Sequence, residues 1–130
     1  YLHVPLPISQ VLSYRRKILE SVEKHGYRVR ECSIWGRPEL FSAIIEGPEK
    51  HDEEEVRTFT HSIDQILMLA QDLGGSIEYC HGTGMKLAHL VHRELGEGTT
   101  TAERIKSVMD PRGIMNPGKL YRQMESSEDH

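Results

Sequence analysis

The apolar positions of this chain change period along its length, and each change marks an element. Leu2 to Leu6 alternates apolar residues with His3 and Pro5, which predicts a short strand near a sheet edge. Ile8, Val11, Leu12, Ile18, Leu19 and Val22 then recur at helical spacing, so a helix is predicted over Ile8 to His25, with Pro7 or Ser9 at its start and Gly26 as its stop. Tyr27 to Trp35 and Leu40 to Glu46 read as two strands joined by the turn Gly36-Arg37-Pro38-Glu39. Asp52 and Glu55 form a capping-box pattern ahead of Val56, Phe59, Ile63, Ile66, Leu67, Ala70 and Leu73, a second helix that stops at Gly74-Gly75. Ser76 to Cys80 reads as a fourth strand. Gly84 to Leu95 and Thr99 to Met109 read as two more helices, the last with Thr100 or Thr101 near its cap. The order is strand, helix, strand, strand, helix, strand, then two helices. That predicts an α+β fold with a ferredoxin-like antiparallel sheet, helices on one face and extra C-terminal helices.

Composition narrows the function. The chain has 130 residues and a formal net charge of -4, so one ordinary globular domain is expected, and a basic nucleic-acid surface is not. No apolar run reaches the length of a membrane span. The two cysteines, Cys32 and Cys80, lie far apart and form no metal-type spacing, which favours a reducing, cytoplasmic setting. The chain begins without methionine inside a predicted strand, as a piece of a longer protein would. The polar residues 123–130 are expected to be a disordered tail.

The densest chemistry lies in Gly74-Gly75-Ser76-Ile77-Glu78-Tyr79-Cys80-His81-Gly82-Thr83-Gly84. It sets His81 among glycines that let backbone approach a ligand, which suits a group that moves a proton. A turn histidine bonded to backbone is the competing reading. Cys80 beside His81 suggests a thiol nucleophile, but neighbours in a strand face opposite sides. His89 and His92 share a helix face yet lack a third metal ligand there. Arg37, at a hairpin tip beside Trp35, can take a carboxylate or phosphate, or can simply be a solvated turn residue. Gly82-Thr83-Gly84-Met85-Lys86 lacks the spacing of a nucleotide-phosphate loop.

Taken together, Gly74-Gly75-Ser76-Ile77, His81-Gly82-Thr83-Gly84, Ile105-Lys106 with Asp110-Pro111, and Asn116-Pro117-Gly118-Lys119 resemble the C-terminal domain of FAD-linked oxidases. That superfamily includes vanillyl-alcohol oxidase, the glycolate oxidase FAD subunit, D-lactate dehydrogenase and alkyl-dihydroxyacetonephosphate synthase. The resemblance runs from Val4-Pro5-Leu6 to Leu120 and sets the expected domain at 1–122. It implies that a separate N-terminal domain of the same protein holds most of the FAD, and that this domain caps the flavin and forms much of the substrate site. It implies His81 as the active-site base, in the oxidation of a 2-hydroxy acid by hydride transfer to flavin; on that reading Tyr79 is expected to polarise a substrate oxygen and Asn116 to lie near the flavin.

The departures from the family pattern are specific. Hydroxy-acid members often carry Gly-His-x-Gly-Asp-Gly-Asn-x-His on the hairpin and a Glu just before the active-site His, and some hold a metal there. Here the hairpin reads Ser33-Ile34-Trp35-Gly36-Arg37-Pro38-Glu39-Leu40-Phe41, and Cys80 stands for the Glu. No metal is expected, because Ile34 and Phe41 cannot ligate one. Arg37 replaces an Asp, which points to a different anionic substrate. The synthases carry a run of histidines of which only His81 remains. An alkyl-dihydroxyacetonephosphate synthase-like enzyme, or a non-enzymatic binding module on the same scaffold, are the alternatives.

Overall fold

The computed structural model describes residues 1–49 and 52–119. They fall into two compact units, Tyr1–Gly82 and the residues from Thr83 onward. The tail expected at 123–130 lies outside the described residues.

The first unit holds β1 (Leu2–Pro5), α1 (Ile8–Lys24), β2 (Arg28–Ile34), β3 (Leu40–Glu46) and α2 (Glu53–Asp72). The sheet is antiparallel in the order β1-β3-β2. Val4 pairs with Phe41 and His3 with Ser42. Because side chains alternate across a strand, Val4, Phe41 and Ala43 face one way and His3 and Ser42 the other. Tyr14 of α1 meets the Phe41 ring edge-on at 5.5 Å, so the Phe41 face carries the helices. Val11, Tyr14, Ile18 and Val22 of α1 pack there with Ile66, Leu67 and Ala70 of α2. The α1 stripe thus runs through Tyr14, and Leu12 stays exposed. Tyr14 donates its hydroxyl to the Ile66 carbonyl at 3.0 Å, and burial pushes that hydroxyl's pKa up, so it remains a neutral donor. Asp52 caps α2, as expected, but by accepting from the Glu54 amide at 2.9 Å and not from the Glu55 amide that a capping box uses.

The α+β class and the helix-covered antiparallel sheet are as expected, but the fourth strand is not. Among the described residues Ser76 to Cys80 forms no strand, and the Ser76 amide bonds to the Pro5 carbonyl at 3.1 Å. The amides of Tyr79, Cys80 and His81 turn instead onto the Glu78 carboxylate. Amides gathered on one side chain cannot also form a strand ladder.

The second unit holds α3 (Ala88–Leu95) and α4 (Glu97–Met109). The first begins four residues later than its pattern predicts: Gly84 sits at φ 54, outside the helical region, and 83–87 form a turn. The second begins two residues earlier, with Gly96 as cap. Thr99 is buried inside this helix and returns its hydroxyl to the Gly96 carbonyl, and Thr100 and Thr101 lie within the helix rather than at its cap.

Asp110 ends α4 and organises the turn that follows. Its carboxylate accepts from the Ile114 amide at 3.0 Å, from the Met115 amide at 2.8 Å and from the Lys106 ammonium. The Lys106 contact first, then the two amides, hold its pKa below the usual carboxylate value. A lowered folded-state pKa gives stability that is complete above the unfolded value of about 3.9 and is lost as pH falls through the folded value. The protection of the Ile114 and Met115 amides, relative to their intrinsic exchange at each pH, is therefore expected to fall as the medium is acidified through that range. In Asp110→Asn protection should already be low at pH 7 and change less with acid. Equal acid response in both proteins would contradict this role.

Candidate active site

His81 leaves the first unit on a turn, and Glu78 makes the turn. One oxygen of the Glu78 carboxylate accepts the backbone N–H of Tyr79 at 3.0 Å, of Cys80 at 2.6 Å and of His81 at 3.0 Å. The Glu78 side chain is only 10% exposed, whereas that of His81 is 67% exposed. Buried acceptor and exposed imidazole are thus locked together: the carboxylate fixes the backbone, and the backbone presents the ring. His81 Nδ1 lies 3.9 Å from the same carboxylate oxygen, an ion-pair distance when the ring is charged.

The ring projects over the sheet face opposite the helices. His81 stands 5.0 Å from the His3 ring, centroid to centroid. His3 is buried beneath it, with Nδ1 at 2.8 Å from Ser42 Oγ. Ser42 Oγ in turn lies 3.1 Å from the Tyr79 hydroxyl. Tyr79 and Trp35 meet the His3 ring edge-on at 5.7 and 6.2 Å, and Tyr1 stacks on it at 6.2 Å. Ser42 is buried on the helix-free face because His3 and Tyr79 contact it there. The arrangement offers an exposed imidazole, a phenol and a buried imidazole within one aromatic patch. It can bind an anion, donate to an oxygen and accept a proton.

The structure places Tyr79 and His81 in the same patch, each with its ring beside His3. Arg37 sits at the tip of the β2–β3 hairpin, 77% exposed, with Glu39 at 3.9 Å. Asn116 belongs to the second unit, in the turn Asn116-Pro117-Gly118-Lys119, at φ 49. Cys80 differs from expectation. Its Sγ lies 3.7 Å from His81 Nε2, because the segment is a turn and neighbouring side chains converge. His92 is bonded through Nδ1 to Thr99 Oγ1 at 3.0 Å. Among the described residues no group of three or more His, Cys, Asp and Glu side chains is placed to hold a metal ion. A polar depression of about 870 Å³, lined by His25, Tyr27, Arg28, Glu46 and Glu55 among others, contains none of the predicted site residues.

Sequence reasoning missed His3, Ser42 and Glu78. The first two carry a faint signal, each being the polar residue between apolar neighbours in a strand, but only the strand register puts them opposite each other. Glu78 carries none, since a carboxylate in a short polar-apolar run looks solvated. Its role predicts that Glu78→Ala loosens the 79–81 turn by about 1–2 kcal/mol, the cost of a lost backbone cap. Glu78→Gln keeps an acceptor and should recover most of that. Exchange rates of the 79–81 amides would measure it, and unchanged rates in Glu78→Ala would rule the cap out.

These features match a known class. The sequence fits the family of FAD linked oxidases, C-terminal domain, over residues 3–120. The chain belongs to that family. It is 34% identical over 71 residues to glycolate oxidase subunit GlcD of Bacillus subtilis, covering 54% of this chain and 15% of that protein. It is 29% identical over 122 residues to D-lactate dehydrogenase of Archaeoglobus fulgidus, covering 92% of this chain and 26% of that protein. It is also 30% identical over 80 residues to the mitochondrial D-lactate dehydrogenase [cytochrome] 1 of Saccharomyces cerevisiae, covering 61% of this chain and 13% of that protein. The matches thus span about a quarter or less of these relatives' length.

Proposed function

We propose that the complete protein is an FAD-dependent oxidoreductase that oxidises a 2-hydroxy acid, and that this chain supplies its substrate and cap domain. The observation that carries the reading is the delivery of His81, by the Glu78-held turn, to the helix-free face beside Tyr79. The relatives named for glycolate and D-lactate support the substrate class. The FAD is held mainly by an N-terminal domain of the same protein and takes up the hydride when bound. The fit is tested by the surroundings of His81. The His81 side chain is 67% exposed, so the imidazole is open to a partner. The exposed rings of Tyr1 and Trp35 border the same patch and suit a flat partner.

Within this reading His81 takes the substrate hydroxyl proton, and Tyr79 bonds to a substrate oxygen. Arg37 receives the carboxylate, its guanidinium being too far from Glu39 for a close hydrogen-bonded pair. Asn116 contacts the flavin. The domain extends over 1–122. Two well-separated thiols, Cys32 and Cys80, accord with a cytoplasmic enzyme. No helix among the described residues is long and apolar enough to cross a membrane.

The test is anaerobic mixing of the full-length protein with glycolate and with D-lactate while flavin absorbance is followed. Bleaching by a 2-hydroxy acid is expected. A flavin-bearing protein that no 2-hydroxy acid bleaches would remove the substrate class, and a full-length protein without flavin would remove the enzyme reading in favour of a binding module.

A further inference from the structure

We infer that His3 and Ser42 are positioning residues that make the Tyr79 hydroxyl a hydrogen-bond donor to the substrate. The inference rests on the reading above and deepens it. His3 Nδ1, Ser42 Oγ and Tyr79 Oη form an unbroken chain with steps of 2.8 and 3.1 Å. Two directions run through the whole chain, and a third arrangement has Ser42 accepting from both neighbours, which also spends the phenol proton, because a hydroxyl has one proton and two lone pairs. In the first direction, Tyr79 donates to Ser42 and Ser42 to His3, so the phenol has no proton left for a ligand. In the second direction, His3 Nδ1–H donates to Ser42, Ser42 donates to Tyr79, and the Tyr79 proton points outward.

The second direction suits the site. His3 is 8% exposed and Ser42 4%, so the chain is closed at its inner end and opens only at Tyr79. The proposed ligand is a carboxylate that also carries a hydroxyl, and its oxygens call for donors. A chain of aligned hydrogen bonds polarises its last O–H, which makes a better donor than an isolated phenol. His81 is left as the proton acceptor. Two imidazoles 5.0 Å apart then have separate tasks: the exposed ring exchanges the proton, and the buried ring fixes the direction of a donor chain.

The experiment has two arms on the full-length protein. In the kinetic arm, Ser42→Ala and His3→Leu should each lower kcat/KM for flavin reduction by roughly fivefold to tenfold, the effect of losing one neutral hydrogen bond of the chain that polarises the Tyr79 donor. Ser42→Thr keeps the hydroxyl and His3→Asn keeps a side-chain N–H near the Nδ1 position. Both should stay within about threefold of wild type, a rescue that simple cavity filling would not give. Ser42→Ala should add little to Tyr79→Phe, because both break one chain. In the spectroscopic arm, the flavin-free protein with 15N-labelled histidine should show neutral His3 protonated at Nδ1.

A wild-type rate in Ser42→Ala, independent additive losses for Ser42 and Tyr79, or a His3 proton on Nε2 would each overturn the inference while leaving the hydroxy-acid reading intact. A wild-type protein that no 2-hydroxy acid reduces overturns that reading instead. A His3 proton on Nδ1 rules out the inward direction, and a lowered rate in Ser42→Ala rules out Ser42 accepting from both sides, since removing that acceptor would free the Tyr79 proton.

Discussion

In the complete protein, His81→Ala is expected to slow the reduction of flavin by substrate roughly a hundredfold or more, the usual contribution of a positioned general base. The change should leave the fold intact. The His81 side chain is 67% exposed, and the turn that carries it is held through backbone amides by Glu78, not through the imidazole. A loss of rate without a loss of stability therefore separates chemistry from folding. Rapid-mixing measurement of the reductive half-reaction, with thermal denaturation alongside, makes that separation. His81→Gln tests the point more narrowly, since an amide can hydrogen-bond a hydroxyl but cannot take its proton. A reductive rate close to wild type in either variant would strip His81 of its role. The neighbouring thiol adds a control. Cys80 Sγ touches His81 Nε2 at 3.7 Å, so Cys80→Ser should alter the rate far less than His81→Ala if the imidazole acts on substrate and not as a base for the thiol.

Gly75→Ala is expected to destabilise the first unit by on the order of 3 kcal/mol, toward the upper end of overpacking costs. A Cβ at this position would stand 2.4 Å from the Pro5 carbonyl oxygen, 2.7 Å from Leu6 Cδ2 and 3.0 Å from the Ala70 carbonyl oxygen. Two of these three atoms are backbone and cannot rotate away. The same peptide region ties two elements together: the Gly75 amide bonds to the Ala70 carbonyl at 2.8 Å, and the Ser76 amide to the Pro5 carbonyl at 3.1 Å. Forcing them apart would free the start of the segment that ends at His81. Denaturant unfolding of the variant should show the loss of stability, and flavin reduction should fall with it. An unchanged midpoint would mean that β1 and the end of α2 can separate at little cost. By contrast, Gly82→Ala meets no atom, and its penalty is limited to the strained φ of 74.

Elements with strong local signals were legible in advance. Leu40–Glu46 has the bounds its alternation predicts, α1 ends just before Gly26, and Asp52 caps α2. The family resemblance, resting on glycine and proline positions at a fixed spacing, holds over residues 3–120. His81 and Tyr79 were picked out as well, because both lie inside the glycine-bounded stretch. The false strand at Ser76 to Cys80 has a clear origin. Ile77 and Tyr79 alternate as strand residues do, but a carboxylate between them competes for the same amides and wins by collecting three at once. Strand propensity is a weak preference beside three charge-assisted bonds to a buried acceptor.

By itself the sequence determined the class of fold, the places of β1, β2 and β3, the two long helices and the presence of an imidazole on a glycine-rich turn. Those depend on periodicity, capping and backbone freedom, which are properties of residues close together in the chain. Tertiary structure alone decided which partners that imidazole has. His3, Ser42 and Tyr79 are 39 and 37 positions apart along the chain at their two hydrogen bonds; the antiparallel register of β1 against β3 closes the first gap, and the tie of the Ser76 amide to the Pro5 carbonyl with the Glu78-held turn closes the second.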